Sequence, residues 1–431
     1  MEIESLNNYE VIKSIDDFMT RIDFLQPKSG SHKLGQSIVR KTVKDVEQGV
    51  PLVIICEIVN YCLLKEYNLE WVGPRFFGYS WNYLDAYPCV YMEAAQSDLQ
   101  TMIEKLSDDP KLRMNYVEHV KKSCTLCLSA CHRLGLIHSD PKPENFLVYE
   151  LEGTNMPRIT LCDFGYCSSY GLARYNDDYR APEVWKTGKA TMQADIWALG
   201  LTILKFIVAD TILIAKHEIT AENWTHQEEF CLDSSMVESL NEMVFLPACS
   251  SASLSPIFSN PADPNVISND ISNANVKANA ISHSYAYLSP DLNYDEEKLN
   301  QYHAISIEVF TMLRFEPSER SLPYYEEINS LPIIDKISDM DKNIDSFSKL
   351  LLSRYLNKNN MNQLPAYPDP ISAKIPAILA AAETISEKWH KGECAIEEIS
   401  QKYMISMEQV EEGERVLIDG LQGLLYLPKL L

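Results

Sequence analysis

Hydrophobic and polar positions divide this chain into regions of different period. From residue 9 to about 95, short runs rich in β-branched residues alternate with turns. Segments 37–43 and 89–92 have the composition of strands, and 51–67 has that of a helix. From 97 to about 330 the apolar positions recur mostly with helical period, most clearly over 115–134 and 192–208. Residues 249–284 break that pattern. They are crowded with Ser, Asn, Ala and Pro, carry few charges, and predict a disordered insertion. Segment 323–345 then leads into another helical region, interrupted by Pro365, Pro368 and Pro370. The expected organisation is α+β: a strand-rich part over 1–95, a helical part over 96–330, a linker over 331–345 and an all-α domain over 346–431. No internal repeat is visible.

Composition narrows the function classes. An apolar fraction of 46% in 431 residues is enough for at least one large core. With 38 basic and 61 acidic side chains the net charge is −23, which repels phosphate backbones and argues against nucleic acid as a partner. It favours basic protein partners. The 11 cysteines are irregularly spaced. Cys124, Cys127 and Cys131 lie in an apolar helical stretch and read as buried thiols, and the odd total fits a reducing intracellular compartment, cytoplasmic or nuclear. The polar, acidic start MEIESLNNYE does not have the character of a signal peptide. The most apolar run, 196–215, carries Lys205 and Asp210 near its middle, which argues for a buried helix over a membrane span. No lipidation signal is seen.

The chemistry concentrates in His138-Ser139-Asp140-Pro141-Lys142-Pro143-Glu144-Asn145. Phosphoryl transfer to a hydroxyl needs a carboxylate to hold that hydroxyl, ligands for the metal that clamps ATP, and cations for the developing charge. Asp140 suits the first role, Lys142 the γ-phosphate, and Asn145 a magnesium ion. Eighteen residues after Asn145 comes Asp163-Phe164-Gly165, a second metal ligand and a glycine that permits the turn. Glu183 of Ala181-Pro182-Glu183 follows Asp163 by twenty, and Asp195-Ile196-Trp197 follows Glu183 by twelve. Arg320, at the end of Phe315-Glu316-Pro317-Ser318-Glu319-Arg320, is a basic residue suited to pair with Glu183.

Five motifs in this order and spacing resemble the eukaryotic protein kinase family over about residues 9–330. The resemblance implies a bilobal fold, with 1–95 as the strand-rich lobe and 96–330 as the helical lobe, and ATP and Mg2+ as cofactors. Gly49-Val50-Pro51 with Glu57, then Leu63-Leu64-Lys65-Glu66, resembles the signature helix of cyclin-dependent kinases, and 91–99 resembles their hinge. Arg180, just before Ala181, also matches. By that resemblance Met92 is the gatekeeper, the Glu93 and Ala95 backbones meet adenine, and Lys41 grips the α- and β-phosphates and pairs with Glu57. Arg40 is the alternative to Lys41, because the spacing to Gly49 is short.

The chain also departs from that family. Where a glycine-rich loop belongs, residues 15–25 read IDDFMTRIDFL, and Asp16 and Asp17 repel phosphate. This bears on ATP affinity more than on transfer geometry. Gly30 and Gly35 read as turn residues. Ser139 replaces the arginine that in relatives binds a phosphorylated activation loop, and 163–183 offers no threonine. Activation is therefore expected not to depend on phosphorylation there, although Ser168, Ser169, Tyr170 and Tyr175 stand as candidate sites. Asn176 takes the place of a threonine that usually bonds the catalytic aspartate. Asp177 and Asp178 are either solvated or meet a basic substrate residue.

Residues 346–431 do not resemble a kinase. The small-residue stretch 375–389, the segment 395–403 and the amphipathic 406–421 resemble the middle of a cyclin box, with 348–356 as a preceding helix. Ser406 with Gln409 has the form of a helix start. The lysine and glutamate by which cyclins grip the kinase signature helix match Lys388 and Glu414. The resemblance implies a serine/threonine kinase with a built-in cyclin-like activator, linked by an intramolecular contact in which tethering raises the effective concentration. The competing reading is a pseudokinase scaffold, favoured by the missing glycines. A small-molecule kinase is disfavoured by the Glu183–Arg320 arrangement.

Overall fold

Alternation of buried and half-buried positions in strands, and apolar faces on helices, decide where each segment of this chain goes. The computed structural model describes residues 9–16, 20–28, 37–44, 49–83, 87–107, 109–150, 156–167, 175–208, 305, 308–309, 311–314, 317–332, 344–358 and 375–425. The expected insertion at 249–284 lies outside them, as do Asp17, Gly30, Gly35, Ser168, Ser169, Tyr170, Phe315 and Glu316.

The N-terminal part is a five-stranded antiparallel sheet. Strands β1 (Tyr9–Asp16), β2 (Thr20–Pro27), β3 (Ile38–Val43), β4 (Phe76–Tyr83) and β5 (Tyr87–Glu93) run in the order β1-β2-β3-β5-β4. Register sorts the side chains. Ile15 faces Ile22, Ile22 faces Lys41 and Lys41 faces Val90, so these four share one face. On the other face Asp23 faces Arg40. There the fully buried Asp23 takes Arg40 at 2.7 Å, Arg21 at 2.9 Å and the Ser14 hydroxyl at 2.5 Å. Burial opposes the Asp23 anion, but these bonds outweigh it and hold its pKa below the usual carboxylate value. Arg40 is thus committed to the face away from Lys41, which removes it as the alternative phosphate ligand.

Helix α1 (Leu52–Glu66) is apolar around its whole circumference. Ile54, Ile55, Ile58, Val59, Leu63 and Leu64 are all buried, together with Cys56, Glu57, Asn60 and Tyr61. Only its last turn, at Lys65 and Glu66, is exposed, so the rest of the helix must be covered on every side. One side packs on the sheet and on residues 164–167. The C-terminal helices cover the other, as described below.

Strand β6 (Ser97–Asp98) pairs with β7 (Phe146–Tyr149), which pairs with β8 (Arg158–Leu161). Helices α2 (Leu99–Lys105), α3 (Pro110–Arg133), α4 (Pro182–Thr187) and α5 (Met192–Val208) make the second lobe. Asp98 caps α2 through the Thr101 N–H at 2.7 Å, and Asp109 caps α3 through that of Leu112 at 2.9 Å. Cys124, Cys127 and Cys131 are free thiols on the buried face of α3. Burial pushes the Cys127 thiol up to about 12.

The remaining helices are α6 (Ile344–Lys358), α7 (Ile375–Lys391), α8 (Ile396–Tyr403) and α9 (Met407–Gly420). A reciprocal capping box starts α9: the Ser406 hydroxyl accepts the Gln409 N–H, and Gln409 accepts the Ser406 N–H at 2.9 Å. Small residues let α7 and α9 approach closely. A methyl group on Gly413 would lie 2.3 Å from the Ala377 carbonyl oxygen. Ala380, Ala381 and Ala382 are fully buried. One apolar core runs without a break from α1 and α3 into Phe347, Leu351, Trp389 and Leu417 of these helices. Among the described residues no helix is long and apolar enough to cross a membrane.

Candidate active site

Asp195 in α5 is the anchor of the catalytic loop. Its fully buried carboxylate accepts the backbone N–H groups of His138 (2.7 Å) and Ser139 (3.0 Å) and the Tyr175 hydroxyl (2.7 Å). His132 Nε2 lies 3.0 Å away. These bonds hold Ser139 in the left-handed region at φ 71°, which no nearby glycine relieves. The Thr202 hydroxyl of α5 donates to the Pro141 carbonyl at 2.8 Å and ties down the next turn.

Asp140 is the centre of what this loop presents. Its Oδ1 accepts the Asn176 N–H at 3.1 Å, and its Oδ2 lies 2.6 Å from Lys142 Nζ. Asn145 Nδ2 donates to Asp140 Oδ2 (3.0 Å) and to the Asp140 carbonyl (2.7 Å). Spending the amide nitrogen there leaves the Asn145 oxygen as its free polar atom, a hard donor of the kind a magnesium ion takes. Burial opposes the Lys142 ammonium, but Asp140 outweighs it and holds its pKa above the ordinary lysine value.

Asp163 reaches the same cleft from the end of β8, at φ 64°. Its Oδ1 is 2.6 Å from Lys41 Nζ, which also lies 3.4 Å from Glu57 Oε1. Burial works against the Lys41 cation, yet Asp163 and Glu57 together raise its pKa. Burial pushes the Glu57 carboxyl up to about 7, against the pull of Lys41. At 2.6 Å from Asp163 against 3.4 Å from Glu57, the Lys41 ammonium belongs chiefly to Asp163. Gly165 fits tightly under α1, since a methyl group there would lie 2.5 Å from Val53 Cγ1. The Asn60 amide donates to the carbonyls of Phe164 (3.1 Å) and Cys167 (2.8 Å).

An aromatic column passes through the site. Phe76 of β4 stacks on Tyr61 of α1 at 5.1 Å, Tyr61 meets Phe164 edge-on at 5.1 Å, and Phe164 meets His138 at 5.5 Å. Sheet, α1, the 163–165 turn and the catalytic loop are thereby in register. Met92 is buried at the back of the cleft, 3.8 Å from the Tyr61 hydroxyl. The Glu93 N–H bonds the Arg75 carbonyl at 2.9 Å, and the Glu93 carbonyl accepts the Tyr149 hydroxyl at 3.4 Å. Ala95 follows as the strand ends.

Away from the cleft, Arg320 grips Glu183 with two bonds, 2.6 and 2.8 Å, and also donates to the carbonyls of Arg314 and Gln193. Tyr175 is buried with its hydroxyl spent on Asp195, which corrects its candidacy as a phosphorylation site. The Asn176 side chain accepts the Asp178 N–H, so the group facing Asp140 is a backbone amide and not a side chain. Asp177 pairs with Arg180 at 2.9 Å.

Lys388 of α7 and Glu414 of α9 meet at 2.7 Å, and both are buried. Together they hold Val50, two residues before α1: Lys388 donates to the Val50 carbonyl at 2.8 Å, and Glu414 accepts the Val50 N–H at 2.8 Å. Gly49, at φ 85°, leaves the room this needs, because a methyl group there would lie 2.6 Å from Glu414 Oε2. Sequence reasoning missed Asn60, the Tyr61–Phe76 stack and a contact of Asp419 with Tyr79 and Trp81. The all-apolar circumference of α1 was the available signal that something covers its outer side.

The protein kinase domain family matches residues 78–257. Over those residues the chain is similar to a protein kinase domain. The match begins within β4, so Lys41 and Glu57 lie before it. Among known proteins, this chain is 27% identical over 136 residues to serine/threonine-protein kinase prpf4B of Dictyostelium discoideum, covering 30% of this chain and 16% of that one. It is 30% identical over 129 residues to homeodomain-interacting protein kinase 2 of Mesocricetus auratus, covering 28% and 10%. It is 36% identical over 95 residues to serine/threonine-protein kinase ksp1 of Schizosaccharomyces pombe, covering 20% of each. The matches thus span a tenth to a fifth of those relatives. Two of those relatives are serine/threonine kinases by name, and the sheet and helical lobe described above fit the bilobal fold of a protein kinase domain.

Proposed function

We propose that this kinase transfers the γ-phosphoryl group of ATP to serine or threonine hydroxyls of protein substrates, and that residues 346–431 act as a built-in, cyclin-like activator. One observation carries the first part: Lys41, Glu57, Asp140, Lys142, Asn145 and Asp163 converge on one cleft from both lobes. Bound Mg2+ and ATP supply the electrophilic phosphorus and neutralise its charge. Asp163 and the Asn145 oxygen hold the metal, and Lys41 binds the α- and β-phosphates. Ile15, Ile22 and Val39 form an apolar roof for adenine, on the sheet face that carries Lys41. Met92, Glu93 and Ala95 line its back edge. Asp140 accepts the proton of the substrate hydroxyl, and Lys142 steadies the transferring group.

The clasp on Val50 supports the second part. With α1 held at its start, Glu57 stays within reach of Lys41 without a phosphorylated activation loop. Ser139 in place of the usual arginine agrees with that. The cyclin-dependent kinases supply the analogy, through the 49–66 signature and Arg180. Net charge −23 favours basic protein substrates. Free thiols and an odd cysteine total favour an intracellular setting, cytoplasmic or nuclear.

A second reading, a pseudokinase scaffold, has one observation in its favour: residues 15–25 contain no glycine and form strands on either side of a short connection. The deciding experiment measures phosphate transfer from labelled ATP to a basic generic protein. Asp140→Asn is expected to lower the rate about 10²- to 10⁴-fold without changing the melting temperature. Equal rates would exclude Asp140 as base and leave the scaffold. Because the core continues into α6–α9, the activator is tested by Lys388→Ala, expected to lower activity, and not by deletion. An unchanged rate in that variant sinks the activator reading.

A further inference from the structure

Helix α9 touches the N-terminal lobe at more than the Val50 clasp. It runs alongside α1 in the same direction. Glu414 sits at Val50, and Gly423, just past the end of α9, packs against Ile58 and Cys62 so closely that a methyl group there would lie 2.6 Å from Cys62 Sγ. Between them, near the end of α9, Asp419 turns to the sheet. Its Oδ1 accepts the Tyr79 hydroxyl at 2.9 Å, and Trp81 Nε1 lies 3.0 and 2.9 Å from its two oxygens. The two rings stand edge to face at 5.1 Å, both on β4. Charge-assisted bonds to both an indole and a phenol are specific in direction.

The clasp at Val50 reads only backbone atoms at one end of α1, next to Gly49 at φ 85°. The body of α1 is buried, and β4 holds it directly through the Phe76–Tyr61 stack. The Asp419 contact ties α9, which carries Glu414 of the clasp, to that same strand. The segment 50–66, the strand β4 and the segment 407–423 therefore form a closed set: Glu414 accepts from Val50, Tyr61 stacks on Phe76, and Asp419 accepts from Tyr79 and Trp81. None of them shifts without breaking a contact with another.

We infer that Asp419 is a positioning residue for the nucleotide cleft: by bonding Tyr79 and Trp81 it locks α9, and through it α1 and Glu57, to the sheet that carries Lys41. The inference rests on the activator reading given above. It makes Asp419 responsible for aligning Glu57 with Lys41, whereas the Lys388–Glu414 clasp is responsible for docking.

The test uses the 431-residue chain and Mg·ATP. The dissociation constant is measured by calorimetry and kcat by phosphate transfer, for wild type, Asp419→Ala, Asp419→Glu and Lys388→Ala. Asp419→Ala is expected to weaken Mg·ATP binding about tenfold, the value of one hydrogen bond to a charged group, with Asp419→Glu recovering part of it. Lys402→Ala, which breaks an exposed ion pair with Glu383 on the far side of α7, is the control and is expected to change nothing. Glu57→Gln is then added to each background. If Asp419 acts by aligning Glu57, that change costs much less in Asp419→Ala than in wild type. Independent, multiplying effects of the two substitutions would overturn the inference. So would unchanged binding in Asp419→Ala while Lys388→Ala weakens it, which leaves the activator reading standing. If neither variant alters binding or kcat, both fall.

Discussion

Removing the Glu414 carboxylate tests the clasp on Val50 most directly. Glu414 is fully buried and Lys388 nearly so. Glu414→Ala strands the Lys388 ammonium on the Val50 carbonyl alone and leaves the Val50 N–H without its acceptor. Breaking a buried ion pair by deleting one partner costs about 3–5 kcal/mol. That is a large part of the roughly 5–15 kcal/mol that separates a native protein from its unfolded chain. Replacing both partners, Lys388→Met with Glu414→Leu, removes the unpaired charge, so the double variant is expected to lose about 2–3 kcal/mol less than the two single losses added together. Urea unfolding is followed by tryptophan fluorescence and by far-UV circular dichroism, whose coincidence licenses a two-state treatment. Additivity to within about 0.5 kcal/mol would show that the two groups do not act as a pair and would refute the clasp. The same variants separate stability from activation: the double variant folds but has no Val50 clasp, so its phosphate transfer is expected to stay low.

Three further predictions concern other parts of the molecule. Glu57 has a folded pKa raised from 4.5 to about 7, so the stability it contributes is fully present below about 4.5 and is lost as pH rises through about 7. The stability of wild type relative to Glu57→Gln is therefore expected to fall by on the order of 3 kcal/mol across that window, and thermal melts that stay parallel from pH 4.5 to 8 would contradict it. Arg320→Lys gives up the two-pronged grip on Glu183 and the bonds to two carbonyls; a loss of about 2–3 kcal/mol in unfolding free energy is expected, and Glu183→Gln is expected to add little on top of it. Gly413→Ala forces a methyl group against the Ala377 carbonyl and separates α7 from α9, with an expected cost of about 1–3 kcal/mol and weaker activity through the displaced Glu414.

Much of the candidate site was legible because its residues lie close in sequence. Asp140, Lys142 and Asn145 fall within six positions, so one loop conformation brings them together whatever the rest of the chain does. The choice between Lys41 and Arg40 was not legible, since adjacent strand residues point to opposite faces and the sequence does not label the faces. Register decided it: Arg40 lies opposite Asp23, and Lys41 lies opposite Ile22 on the cleft side. Tyr175 was open to misreading for a related reason, because a hydroxyl in a loop looks available until its partner, Asp195 twenty residues on, is seen. The candidate phosphosites at 168–170 and the insertion at 249–284 lie outside the described residues and stay expectations.

By itself the sequence determined which residues are candidates for phosphoryl transfer, the helical character of the C-terminal region and the unusual apolarity of α1. Each of these depends on residue type and short spacing. Tertiary structure alone decided what covers α1. The contacts of Glu414 with Val50 and of Asp419 with Tyr79 and Trp81 join residues more than three hundred positions apart. No local pattern encodes such pairs, because they arise only when surfaces distant in sequence bury their apolar sides in one core and polar groups must find partners in what remains.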